Sequence, residues 1–226
     1  MWKVELSHTD AYDPKQGWYG KSLEYWSKTP ATITGVLGGM DHVHEADIAE
    51  SRQFLLAIQG VGRSRALDCG AGIGRITKNL LMPLFEKTDL LEPIPHMLQA
   101  ARDDLGTSPK AGEFYLQSIE KFIPVASSPK YDVVVLQWVA IYLTDDDFVS
   151  FLKRMKASLA PNGIVFFKEN VASKNEFVVD KDDSSLTRSD MHYKMIFAAA
   201  GMAVVAEAFQ KKWPADLFAV KMYALR

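Results

Sequence analysis

The chain has 226 residues, 48% of them hydrophobic and 24% charged, with a formal net charge of −2. That balance excludes a disordered chain and gives no global attraction to nucleic acid or to an anionic membrane. A sole cysteine, Cys69, excludes an internal disulfide, and no apolar run reaches the about 18 residues of a membrane span. The opening MWKVELSHTDAYD lacks the basic-then-apolar order of a secretory signal. The expected setting is the cytoplasm and/or the nucleus, as a monomer, with neither nucleic acid nor membrane as partner.

Residues 1–14 are polar and irregular and predict a loose end. Residues 17–28 carry Trp18, Tyr19, Tyr25 and Trp26 on one face of a short helix that Pro30 stops. Residues 34–43 hold three glycines and predict a loop. Asp47 stands where it can cap a helix over 48–58, with Ile48, Phe54, Leu55 and Ile58 as its apolar stripe. From residue 64 the rhythm changes to strands at 64–68, 88–92, 113–117, 131–137 and 164–168. Helices alternate with them, to about 85 and over 95–105, 145–159 (capped by Asp145 or Thr144) and 187–200. Two last strands, 202–209 and 217–224, flank the turn KKWPAD. The pattern predicts an α/β fold with a doubly wound, mostly parallel seven-stranded sheet whose last strand is antiparallel. It further predicts one domain over 1–226, with a helical extension at 1–60, a ligand-binding core at 61–226, and an acidic loop or hairpin after the fifth strand.

The first strand runs into ALDCGAGIGR, in which Gly70, Gly72 and Gly74 open a helix. Glycines let a ligand approach the backbone, and a helix N-terminus offers free N–H groups. A dinucleotide fingerprint reads G-x-G-x-x-G. Here the spacing is G-x-G-x-G, and Asp68 ends the strand before it. A pyrophosphate has no use for that carboxylate, whereas a zwitterionic amino acid bearing a sulfonium does. Arg75 then stands where it can pair with the carboxylate of that amino acid. Glu92 ends the second strand and can accept from two ribose hydroxyls, and Gln137 ends the fourth. Cys69 reads as a small buried residue. His42 and His44 read as surface residues, and no metal site is expected.

These stretches, together with YWSKTPATITGVLGG, SRQFL, YDVVVLQWV, LAPNGIVFFKEN, VDKDDSS and YALR, resemble the protein α-N-terminal methyltransferase family. The resemblance covers nearly the whole chain beyond residue 17. It implies a Rossmann-like class I methyltransferase fold, S-adenosyl-L-methionine as cofactor with S-adenosyl-L-homocysteine as product, and methylation of the α-amino group of proteins that begin X-Pro-Lys or X-Pro-Arg. It also implies roles. Gly70, Arg75, Gln137 and Trp138 contact the cofactor, beside Asp68, Gly72 and Glu92. Ile119 and Glu120 flank the adenine. Tyr25, Trp26, Leu37, Gly38, Trp138, Asn170, Asp180, Asp183 and Ser185 line a peptide channel.

The sequence departs from the family twice. Glu92 stands where the family has Asp, which keeps the carboxylate. Tyr142 stands where the family has a histidine that helps take a proton from the substrate amine. The α-amine, with an ordinary pKa of about 8, attacks only when neutral. Asp183 is the leading base, with Asn170 orienting the amine and Tyr142 relaying or positioning. Asp180 can pair with the cation at the third substrate position. Two alternatives stay open: a small-molecule N-methyltransferase, and a non-catalytic cofactor-binding module of the same fold.

Overall fold

A computed structural model describes residues 2–7, 14–125, 129–173 and 176–226. Four helices come first: α1 (Trp2–Ser7), α2 (Pro14–Lys28), α3 (Ile33–Val36) and α4 (His44–Ala57). Helix α1 corrects the expectation of a loose end. Trp2 has an aromatic partner 16 positions on, with the two rings of Trp2 and Trp18 edge to face at 5.1 Å. Residues 1 and 8–13 of that expected end lie outside the described residues. Asp47 is not a cap either. Helix α4 starts three residues earlier, and the Asp47 side chain is fully buried.

The strands are β1 (Arg65–Cys69), β2 (Lys87–Leu91), β3 (Ala111–Tyr115), β4 (Tyr131–Gln137), β5 (Leu159–Val171), β6 (Val178–Asp180), β7 (Ser185–Thr187), β8 (Val204–Phe209) and β9 (Ala219–Leu225). Seven of them form one sheet in the order β3-β2-β1-β4-β5-β9-β8, parallel except for β9, which pairs antiparallel with both β5 and β8. β6 and β7 form the hairpin expected after the fifth strand. Between the strands lie a π turn (Thr77–Leu81) running into α5 (Met82–Leu84), then α6 (Pro95–Leu105), α7 (Asp145–Ser158) and α8 (Asp190–Ala199). The Thr144 hydroxyl accepts the N–H of Asp147 and so caps α7.

Alternation along the strands sorts the core into two layers. Val134, Leu136, Val165 and Phe167 pack against α7 and α8. Val133, Val135, Ile164 and Phe166 pack against α4 and the segment 76–85. Phe167 anchors the first layer, its ring 4.9–5.6 Å from those of Tyr193, Phe197, Phe148 and Tyr223. Phe167→Ala should therefore lower the unfolding free energy by about 3–5 kcal/mol, measured by urea denaturation. A loss below about 1 kcal/mol would mean the layer closes over the gap.

Candidate active site

The carboxyl ends of β1, β2 and β4 meet at a cavity of about 990 Å³. Beyond β1 the chain turns sharply, with the N–H groups of Gly70 and Ala71 both donating to Leu91 O, at 2.8 and 3.1 Å. Gly70 has φ +68°, and a Cβ there would lie 2.4 Å from Val139 Cγ2, so the turn can pass β4 only without a side chain. Gly72 has φ +54°, a Cβ there would touch Val36 Cγ1 at 3.6 Å, and its N–H donates to Glu92 Oε2 at 2.9 Å.

Eight of the nine residues expected at a cofactor line this cavity: Gly70, Gly72, Arg75, Glu92, Ile119, Glu120, Gln137 and Trp138. Asp68 does not. Its Oδ2 accepts from the N–H and the hydroxyl of Thr77, at 3.0 and 2.7 Å, so the carboxyl fastens the turn instead of facing the ligand space. Burial pushes Asp68 up to about 6. Burial likewise pushes Glu92 up to about 7, against the N–H groups of Ile94 and Gly72 that favour its ionised form. Arg75 Nη1 contacts Asp47 Oδ2 at 2.7 Å. Gln137 Oε1 is buried with no hydrogen-bond partner among the described residues.

Helix α2 roofs the cavity with Tyr19, Ser22, Leu23 and Trp26, a stripe spaced as one helix face. Met97 and Val139 also line it, and nothing in their local sequence set them apart. The set suits a three-part ligand. Ile94, Met97 and Ile119 present apolar surface, Glu92 a carboxylate, and Arg75 with Gln137 polar groups.

Trp26, Trp138 and Tyr142 also line the cavity. Trp138 has φ +53°, a conformation a bulky residue adopts only where its surroundings hold it. Its ring lies 5.7 Å from that of Trp213, which sequence reasoning left in a turn. The Trp26 ring meets Tyr142 edge-on at 6.2 Å. The Tyr142 hydroxyl donates to Asp183 Oδ2 at 3.1 Å, and Asp183 Oδ1 is buried with no hydrogen-bond partner among the described residues. Burial raises the Asp183 carboxyl above its ordinary value, against the lowering effect of Ser185 and Tyr142. Burial and the Asp183 charge together raise Tyr142 well above an ordinary phenol.

The remaining expected channel residues are more dispersed. Tyr25 and Gly38 border a second, open groove of about 1000 Å³ on another face of α2, together with Asp182, which had not been singled out. Leu37 is buried and lines neither space. Asn170 is half-buried near the end of β5, and Ser185 is buried in β7. Asp180 is exposed, its Oδ1 accepting the N–H of Asp182. None of Asn170, Asp180, Asp183 and Ser185 lines the first cavity, but Asp183 stands one hydrogen bond behind Tyr142.

The chain is similar to several known methyltransferases. Alpha N-terminal protein methyltransferase 1 of Arabidopsis thaliana is 44% identical over 238 residues, spanning 100% of this chain and 85% of that protein. Human N-terminal Xaa-Pro-Lys N-methyltransferase 1 is 40% identical over 220 residues, spanning 95% of this chain and 97% of that protein. A solved structure from Leishmania major, described as a SAM-dependent methyltransferase, is 58% identical with a TM-score of 0.93, covering 100% of this chain and 89% of that one. A family model described as AdoMet dependent proline di-methyltransferase matches residues 14–226. The chain belongs to that family, which is S-adenosylmethionine-dependent, and its sheet is that of a class I methyltransferase.

Proposed function

We propose that this protein transfers methyl groups to the α-amino group of proteins that expose an N-terminal X-Pro-Lys or X-Pro-Arg sequence. The observation that carries the proposal is the Tyr142–Asp183 pair: a carboxylate with one oxygen buried and unpartnered among the described residues, tied to a phenol that lines the cofactor cavity beside Trp26. The names of its relatives supply the acceptor class.

When bound, S-adenosylmethionine supplies an electrophilic methyl group on its sulfonium. Glu92 holds the ribose hydroxyls, Ile119 and Glu120 flank the adenine, and Arg75 with Gln137 holds the amino-acid end. Trp138 gives a flat face to the substrate proline. Asp183 takes the ammonium proton at Oδ1, directly or through one water. Its raised pKa brings it nearer to that of the amine, which favours the transfer. Tyr142, a phenol made still less acidic by its surroundings, is no base. Its hydroxyl instead fixes Oδ2 and leaves Oδ1 free to act. Asn170 orients the amine, with Ser185 beside Asp183. Asp180, with Asp182 two positions on at the outer groove, offers charge to the third-position Lys or Arg. Tyr25, Trp26, Leu37 and Gly38 shape the approach. Positioning of this kind supplies much of the rate in a direct methyl transfer. A monomer in the cytoplasm or nucleus suits the sole, buried cysteine.

A peptide beginning Ser-Pro-Lys should accept methyl groups, and the same peptide with an acetylated N-terminus should not. Equal labelling of both, or of neither, in a mass-spectrometric assay would refute the proposal. Asp183→Asn should lower kcat by about 100-fold or more while leaving the Kd of S-adenosylhomocysteine within about twofold. Near-normal turnover would remove Asp183 from the base role. The third expectation concerns pH. Glu92 protonates below about 7, and only the ionised form accepts from both ribose hydroxyls. Cofactor affinity should therefore fall about tenfold from pH 8 to pH 6, and Glu92→Gln should bind weakly at both. A pH-independent Kd in the wild type, measured by calorimetry, would take Glu92 off the ribose.

A further inference from the structure

Helix α4 precedes the sheet in sequence, yet one of its side chains binds two residues that line the cavity. Asp47 and Lys168 are both fully excluded from solvent. Lys168 Nζ has three acceptors for its three hydrogens: Asp47 Oδ1 at 2.5 Å, Ser51 Oγ at 2.8 Å and Asp47 O at 3.3 Å. Gln137 Nε2 donates to both Asp47 oxygens at 2.9 Å. Arg75 Nη1 donates to Asp47 Oδ2 at 2.7 Å and lies 3.3 Å from His44 Nδ1. One carboxylate is thus shared by two cations and an amide. Two of those partners, Arg75 and Gln137, line the cavity.

The arrangement is ill suited to stability alone. A buried ion pair is often no better than apolar residues of the same volume. It is well suited to aim. Arg75 has five N–H donors, and the bond to Asp47 fixes its plane while occupying Nη1. Gln137 spends its amide N–H on Asp47, which leaves the acceptor Oε1 without a partner among the described residues. The Arg75 guanidinium is further held over the Trp138 ring at 5.5 Å. A site ordered before its ligand arrives binds it at a smaller entropic cost.

We infer that Asp47 is the positioning residue for the amino-acid end of the cofactor, setting Arg75 and Gln137 in their binding geometry from the helical N-terminal segment. This rests on the assignment of that end to Arg75 and Gln137 in the proposed function. The test compares two ligands on the full chain by calorimetry. S-adenosylhomocysteine carries the amino-acid end, and 5′-methylthioadenosine lacks it. Asp47→Asn should weaken S-adenosylhomocysteine about tenfold or more while changing 5′-methylthioadenosine less than about twofold. Asp47→Asn also leaves Lys168 buried without its counter-charge, which can prevent folding. The double variant Asp47→Asn with Lys168→Met removes that ammonium too and should show the same split between the ligands. Equal weakening of both ligands would reduce Asp47 to a structural residue, and no weakening of either would also overturn the inference. Arg75→Ala serves as the control and should show the split by itself. If Arg75→Ala shows it and the Asp47 variants do not, this inference alone fails. If Arg75→Ala treats the two ligands alike, the assignment beneath it fails as well.

Discussion

Everything in the site depends on one topological constraint, the side-by-side parallel pairing of β1 and β4. From β1 the chain passes to β2 and β3 on one side, and from β4 it passes to β5 on the other. Their carboxyl ends therefore open a crevice that no connection fills. The pairing runs through Cys69 and Leu136, so the turn after β1 and the bend after β4 begin level with each other. That is why Gly70 must lack a side chain, since Val139 occupies the place of its Cβ. It is also why Trp138 takes a left-handed conformation, leaving the strand with its N–H bonded to Lys168 O.

The same pairing explains how charge enters the interior. Along β4, Val133 and Val135 face α4, and the next residue of that parity is Gln137. Along β5, Ile164 and Phe166 face α4, and Lys168 follows. Gln137 and Lys168 are register partners, so the apolar layer stops on both strands at one level. A polar pair at that depth needs an acceptor, and Asp47 on α4 supplies it. Helix α4 therefore does more than cover the sheet, because its first turn completes the polar end of the crevice. Helix α2 is placed differently, roofing the cavity from outside. It is held to the segment after β4 by Trp18 Nε1 on Tyr142 O, and by Tyr19 and Lys15 on Asp147.

This layout decides what was legible in the residues. Strands buried on both faces read as apolar runs, so the sheet could be laid out from them. Cofactor-side residues follow strand ends directly, and a strand end fixes a residue's location closely. Gly72, Glu92 and Gln137 could be placed at the cavity for that reason. Asp68 was assigned to the ligand because a carboxylate suits a zwitterion bearing a sulfonium, but Thr77, nine positions on, takes it first. Asp47 before an apolar stripe looks like a helix cap in any local window. Its ammonium partner lies 121 positions away. The acceptor side was harder still. It joins α2, the segment after β4 and a hairpin turn, where one residue's shift exchanges an outward carboxylate for an inward one. Asp182 and Asp183 are neighbours, yet Asp182 borders the outer groove and Asp183 meets Tyr142.

The exchange of histidine for Tyr142 is consistent with this geometry. An imidazole beside Asp183 would share the proton and add a second group titrating near neutrality. A phenol cannot do so, because burial and the neighbouring carboxylate keep it protonated. It remains a neutral donor, committed to Oδ2. On the proposed reading, proton transfer then falls to one carboxylate, which burial has made a stronger base than a free aspartate. On that reading a raised carboxylate pKa and a fixed orientation take the place of a second titrating ring, so Tyr142 in that position does not by itself argue against turnover.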